Sequence, residues 1–115
     1  MDPWGVDLNS ISRPDSYAIV SRDEKIYVLG KGEMGIVNGL SFLQTRLWRN
    51  AANKAVYNLD SLAAVYNPAF SRRVAYINIG YNLPGITVQD WTLDQWKEYI
   101  DRLVLARLNA FSFFL

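Results

Sequence analysis

The chain has 115 residues, half of them hydrophobic and 14% aromatic, which is enough apolar material for one ordinary domain and too much for a disordered chain. Lys plus Arg is 12 and Asp plus Glu is 11, a formal charge of +1, so no bulk field draws the chain to nucleic acid or to an anionic membrane. The absence of Cys and His excludes disulfides, Cys/His zinc sites, thiol nucleophiles and every His-based triad; no metal or cofactor is expected.

Residues 1–15 carry the turn formers Pro3, Gly5, Asn9, Ser10, Pro14 and Asp15 and little periodicity, which reads as an irregular arm. The first residues have neither the basic n-region nor the apolar h-region of a signal peptide. No apolar run approaches the ~18 residues of a membrane span, so no membrane partner is expected. Residues 16–21 (SYAIVS) and 25–29 (KIYVL) flank Arg22-Asp23-Glu24. Two β-branched and aromatic runs around a short polar break predict a hairpin, with Gly30 closing the second strand.

Residues 33–49 have helical spacing. Met34, Val37, Leu40, Phe42, Leu43, Leu47 and Trp48 form the expected buried stripe. Gly35 and Gly39 lie four apart on one face, and each costs about 1 kcal/mol against Ala in a helix interior. Close approach of the helix to a sheet is the expected offset. From 50 to 71, repeated Asn, Asp60 and Pro68 break any pattern, and Leu62 to Val65 is read as a possible helical turn. So long a connector is uncommon inside one compact domain; it predicts a boundary between two structural units.

Residues 74–81 (VAYINIGY) read as a strand apolar on both faces, followed by a loop with Pro84-Gly85. Thr92-Leu93-Asp94-Gln95 is a capping box, with Trp91 and Trp96 at the positions of a hydrophobic staple. Leu93, Trp96, Ile100, Leu103, Val104 and Leu108 then predict an amphipathic helix to about residue 108. Glu98 and Arg102 form an i,i+4 pair in the better orientation. Residues 110–115 (AFSFFL) again read as a strand apolar on both faces. Such strands joined by a helix are typical of parallel sheets. The expected class is α/β (α+β): hairpin plus helix, then one β-α-β unit. The last strand reads as a bare apolar edge, giving the chain the look of a parallel sheet cut short.

The order of these elements and several residues resemble a known family. The stretch Gly30-Lys31-Gly32-Glu33-Met34-Gly35-Ile36-Val37-Asn38-Gly39-Leu40 after a hairpin resembles the small α+β domain that precedes the barrel in beta-N-acetylhexosaminidases and alpha-glucuronidases. Arg72-Arg73-Val74-Ala75-Tyr76-Ile77-Asn78-Ile79 resembles the first barrel strand of these glycoside hydrolases. Residues 90–101 (DWTLDQWKEYID) resemble the first barrel helix, and 105–111 (LARLNAF) the passage into the second strand. The resemblance spans residues 16–49 and 72–115. It implies domains at 1–15 (arm), 16–70 (hexosaminidase-like N-terminal domain, partial, with its connector) and 71–115 (first β-α-β of a TIM barrel, incomplete). A full barrel typically needs about 250 residues. The resemblance puts the catalytic carboxylates on later strands, so it implies a carbohydrate partner but no catalytic residue here. Where family members often carry a sugar-contacting Arg, this sequence has Ile77.

Asp90, Asp94, Glu98 and Asp101 cluster in sequence as glycosidase carboxylates do in space. Three of them fall on the polar face of the helix, where solvated charge is the simpler reading, and Asp90 suits a turn equally well. Tyr76, Asn78, Tyr81 and Asn82 are the candidate substrate contacts, because they lie on and beyond a strand whose C-terminal end would face a barrel active site. Packing in the sheet and an Asn-Leu-Pro-Gly turn are the alternative. Trp91 and Trp96 staple the helix or stack on sugar; the first reading is preferred. Gly30-Lys31-Gly32 lacks the Gly-Lys-Ser/Thr ending of a P-loop. A different class of function stays open: a self-contained small α/β binding or assembly domain that dimerises through residues 110–115.

Overall fold

The computed structural model describes residues 2–52, 62–78 and 88–114. It is a mixed α+β chain with two sheets, and it divides into two compact units, Met1–Ser71 and Arg72–Leu115.

In the first unit, β1 (Tyr17–Arg22) and β2 (Lys25–Gly30) form the expected hairpin. Asp23 and Glu24 both take positive φ, 51° and 60°, as a two-residue turn of type I′ demands. Helix α1 spans Glu33–Ala52, and the Gly32 carbonyl accepts the Gly35 and Ile36 N–H groups at its start. A third strand, β3 (Ala63–Tyr66), runs antiparallel to β1 on the side away from β2, giving the order β2-β1-β3. This corrects the reading of Leu62 to Val65 as a helical turn. Alanine favours helix locally, but pairing with the central strand satisfies the backbone groups of this segment.

Period-two alternation sorts β1 between two covers. Tyr17 turns toward α1, where its ring lies 6.2 Å from Phe42 and 5.0 Å from Tyr66. Ala18 and Val20 face the other way and form a core with Val6 and Ile11, flanked by Trp4, Leu8, Leu29 and Val65. The irregular arm is therefore a second layer. A 3₁₀ turn at Leu8–Ser10 shapes it, and Asn67 ties it down, accepting from the Ser12 N–H and donating to the Ser10 carbonyl at 3.1 and 2.8 Å.

The apolar stripe expected on α1 is not the buried one. Met34, Val37 and Leu40 are exposed, Leu40 at 54%, and Phe42 and Leu43 are half-buried; the side chains of Leu47 and Trp48 lie outside the described residues. The buried face carries Gly35, Asn38 and Gly39. The physical reason is the close approach that the two glycines permit. A Cβ on Gly35 would collide with the Ser16 carbonyl, and one on Gly39 with Val28 Cγ1. Asn38 spans the remaining gap, its Nδ2 donating to the Asp15 carbonyl at 3.0 Å.

In the second unit, β4 (Val74–Asn78) and β5 (Ala110–Phe114) pair in parallel, with Tyr76 opposite Ser112 and Ile77 opposite Phe113. The expected remainder of the first strand, 79–81, lies outside the described residues. Helix α2, Leu93–Leu105, starts at the predicted capping box: Thr92 Oγ1 accepts from the Gln95 N–H at 3.3 Å, and Gln95 Oε1 accepts from the Thr92 N–H at 2.8 Å. It ends in a Schellman motif, with Arg107 at φ 61° and its N–H donating to the Val104 carbonyl while the Leu108 N–H reaches Leu103. The Arg107 carbonyl accepts from Arg73 Nε at 2.7 Å, and the Arg73 N–H donates to Asn109 Oδ1 at 2.8 Å. The start of β4 is thereby fixed to the turn before β5. Of the predicted stripe on α2, Trp96, Leu103, Val104 and Leu108 are half-buried, while Leu93 and Ile100 are exposed. Within this unit, two described strands offer too narrow a surface to cover them.

Candidate functional site

Pleating decides where the candidate contacts on β4 sit. Ala75 and Ile77 are half-buried on the face shared with Phe111 and Phe113. Phe111 meets Trp96 and Tyr99 of α2 at 6.0 and 6.2 Å, so this is the helix-covered face. Val74 and Tyr76 fall on the opposite face, and both are exposed, Tyr76 at 63%. Ile77 therefore lies on the helix side. Asn78 ends β4, its backbone opposite Phe114. Tyr81 and Asn82 lie outside the described residues. Of the four candidate contacts, then, the structure brings Tyr76 and Asn78 to one strand and places the tyrosine ring on its uncovered face.

The carboxylates of the second unit make no paired acid–base arrangement among the described residues. Asp94 lies 3.7 Å from Lys97, Glu98 lies 2.6 Å from Arg102, and all four side chains are well exposed. Asp90 and Asp101 are exposed as well. At such positions an ion pair contributes about 0.3–0.5 kcal/mol in helices, and the polar face of α2 has the chemistry of a solvated surface. Among the described residues no group of three or more His, Cys, Asp and Glu could hold a metal ion. No described helix is long and apolar enough to cross a membrane.

An aromatic cluster runs along α2 instead. Trp91 and Trp96 meet edge to face at 5.0 Å, as a hydrophobic staple requires. Tyr99 joins them at 5.4 and 6.3 Å. Beside these rings a surface cleft of about 260 Å³ is lined by Trp91, Gln95, Glu98, Tyr99 and Arg102. The sequence predicts the tryptophans as a staple and Glu98 with Arg102 as an exposed pair. That expectation does not place Tyr99 between them. The signal is present: 91, 95, 98, 99 and 102 recur at three-and-four spacing on one side of the helix. A larger open cleft of about 600 Å³ lies in the first unit, lined by Leu8, Ile11, Leu29, Lys31 and Ile36 among others.

No protein-family model matches the chain, and no curated protein or solved structure shows significant similarity to it.

Proposed function

We propose that the second unit is the opening β-α-β of a parallel (β/α) barrel in a carbohydrate-active protein of the glycoside-hydrolase type, contributing sugar contacts but no catalytic acid. The observation that carries this reading is the two-sidedness of the β4–β5 pair. One face meets α2 through Trp96, Tyr99 and Phe111; the other leaves Val74 and Tyr76 uncovered. In a (β/α) barrel the helix side is the outside and the opposite face is the interior, and ligands gather at the C-terminal ends of the strands. Tyr76 is on the face that such an interior would use. A phenol combines an apolar ring with a hydroxyl, which suits the mixed surface of a sugar. The resemblance of residues 16–49 and 72–115 to beta-N-acetylhexosaminidases and alpha-glucuronidases supports the same assignment.

The test is an assay of the 115-residue chain on aryl glycosides, with soluble glycans titrated against the chain and against its Tyr76→Ala variant. The reading expects no turnover above background, and glycan binding that Tyr76→Ala weakens. Turnover by the chain, or glycan binding indifferent to Tyr76, overturns it.

A second reading, an assembly domain pairing through residues 110–115, has its own observation. Among the described residues β5 is bonded on one side only, and Phe113 is 51% exposed, features that invite a further strand. Size-exclusion chromatography with light scattering separates the two. A well-folded dimer at low micromolar concentration, converted to monomer by Phe113→Lys, favours assembly.

A further inference from the structure

We propose that the lateral face of α2 is a second carbohydrate site, a platform for a single neutral pyranose built from the rings of Trp91 and Tyr99 and the polar ends of Gln95, Glu98 and Arg102. It goes beyond the reading above, because Tyr76 lies on the sheet face away from α2 and cannot share a ligand with it.

The rings come first. Trp91 and Tyr99 stand 5.4 Å apart at 61°, so they offer a corner of two aromatic surfaces. Both are half-buried, and Trp96 braces each of them from within. Phe111 braces Tyr99 as well, at 6.2 Å. Side chains held this way lose little further freedom when a ligand arrives. A pyranose presents an axial C–H face to such a corner and a ring of hydroxyls to its rim.

The rim has matching chemistry. Gln95 Oε1 is engaged by the Thr92 N–H at 2.8 Å, which fixes the amide and turns its NH₂ donors to other use. Glu98 Oε1 accepts from Arg102 Nη2 at 2.6 Å; the second carboxylate oxygen and the other guanidinium N–H groups supply acceptor and donors side by side. Hydroxyl groups both donate and accept, so they can use each of these.

Charge narrows the ligand further. A quaternary ammonium also favours aromatic corners, but the guanidinium of Arg102 neutralises Glu98, the one acid among the described lining residues. An anion meets Glu98. The paired charges leave a neutral polyol as the ligand of best fit. At about 260 Å³ the cleft falls just below the roughly 300–1,000 Å³ of drug-sized pockets, the scale of one sugar ring.

The experiment is an NMR titration of the 115-residue chain with methyl glucopyranoside and N-acetylglucosamine, with tetramethylammonium and glucuronate as charged comparisons. The Trp91 indole N–H and the Gln95 side-chain amide report on the cleft. Saturable shifts at both with a neutral sugar are expected, with affinity falling about tenfold in Trp91→Ala, the scale of one aromatic contact. Tyr76→Ala leaves these shifts unchanged. Because Trp91 also staples the helix, Arg102→Ala serves as the second variant; its side chain is largely exposed, and the same sugar must bind more weakly to it. The proposal is overturned if neither reporter moves, if Arg102→Ala binds as before, or if tetramethylammonium or glucuronate binds more tightly than the neutral sugars. Sugar binding that Tyr76→Ala abolishes while Trp91→Ala leaves it intact overturns this site and spares the reading of the uncovered β4 face.

Discussion

The two units use similar residues and bury them very differently. In the first, β1 has a strand on either side, α1 over one face and the arm over the other, and Ala18, Ile19 and Val20 are 0%, 1% and 3% exposed. In the second, the two described strands leave no residue of α2 buried and Ile100 49% exposed. Hydrophobic stabilisation scales with apolar area removed from water, at about 25 cal/mol per Å². The number of covering layers, rather than the number of apolar residues, therefore decides which unit holds a core. The contrast also separates roles. A strand covered on both faces is scaffold, while rings left at a surface are available to ligands.

The largest effect that tests the contrast is truncation of equivalent side chains. Ile19→Ala removes a fully buried branched chain and is expected to cost about 3–4 kcal/mol. Ile100→Ala removes a half-exposed one and is expected to cost less than about 1 kcal/mol. Urea denaturation of both variants checks this. Equal costs would mean that the second unit has a core as dry as the first.

Next comes Gly35→Ala. Helix propensity alone predicts a gain of about 1 kcal/mol. The structure predicts the opposite sign, a loss of about 2 kcal/mol, because the new methyl meets the Ser16 carbonyl, a backbone atom with little room to move. Gly39→Ala meets Val28 Cγ1 and, less closely, the Tyr17 ring, side-chain rather than backbone atoms, and is expected to be the milder of the two. Thermal melts of the pair sharpen the claim that α1 is held by close approach.

That helix also shows how far the sequence could be read. The hairpin and the capping box of α2 were legible because their signals are local: a turn between two β-rich runs, and Thr92 with Gln95 three residues on. The four-residue spacing of Gly35 and Gly39 disclosed the close approach as well. What periodicity concealed was which face of α1 is inward. It weighs side chains by hydrophobicity, so it selected Met34, Val37 and Leu40, whereas the sheet accepts the face with the least side chain. Likewise Ala63–Tyr66 is a strand only because β1 offers a free edge, which no local window contains. Of the candidate site, alternation along β4 was readable, but which face α2 covers depends on Phe111, thirty-odd residues away. The cleft beside Trp91 and Tyr99 needed the staple and the Glu98–Arg102 pair to be seen together.

In the second unit, where burial contributes little, local devices should count for more. Thr92→Ala removes the acceptor for the Gln95 N–H and is expected to cost about 1 kcal/mol. That is a larger share of what holds α2 than the same loss would be in the first unit. Circular dichroism during thermal unfolding, with Thr92→Ser as the conservative control, reads this directly.

The smallest effect runs in the stabilising direction and belongs to the hairpin. Glu24 holds φ at 60°, a conformation in which the Cβ of an L-residue crowds the following carbonyl. Glu24→Gly relieves that crowding, while the freer unfolded chain returns part of the gain. The net is expected to be about +0.5 kcal/mol. Asp23 shares the positive φ but belongs to a residue type that visits this region more readily, so Asp23→Gly should gain less. If both substitutions destabilise instead, side-chain interactions of the turn outweigh its backbone strain. The Arg22–Asp23 contact at 3.4 Å would then be the first place to look in Asp23→Gly. Its exposed geometry argues for a contribution too small to reverse the order.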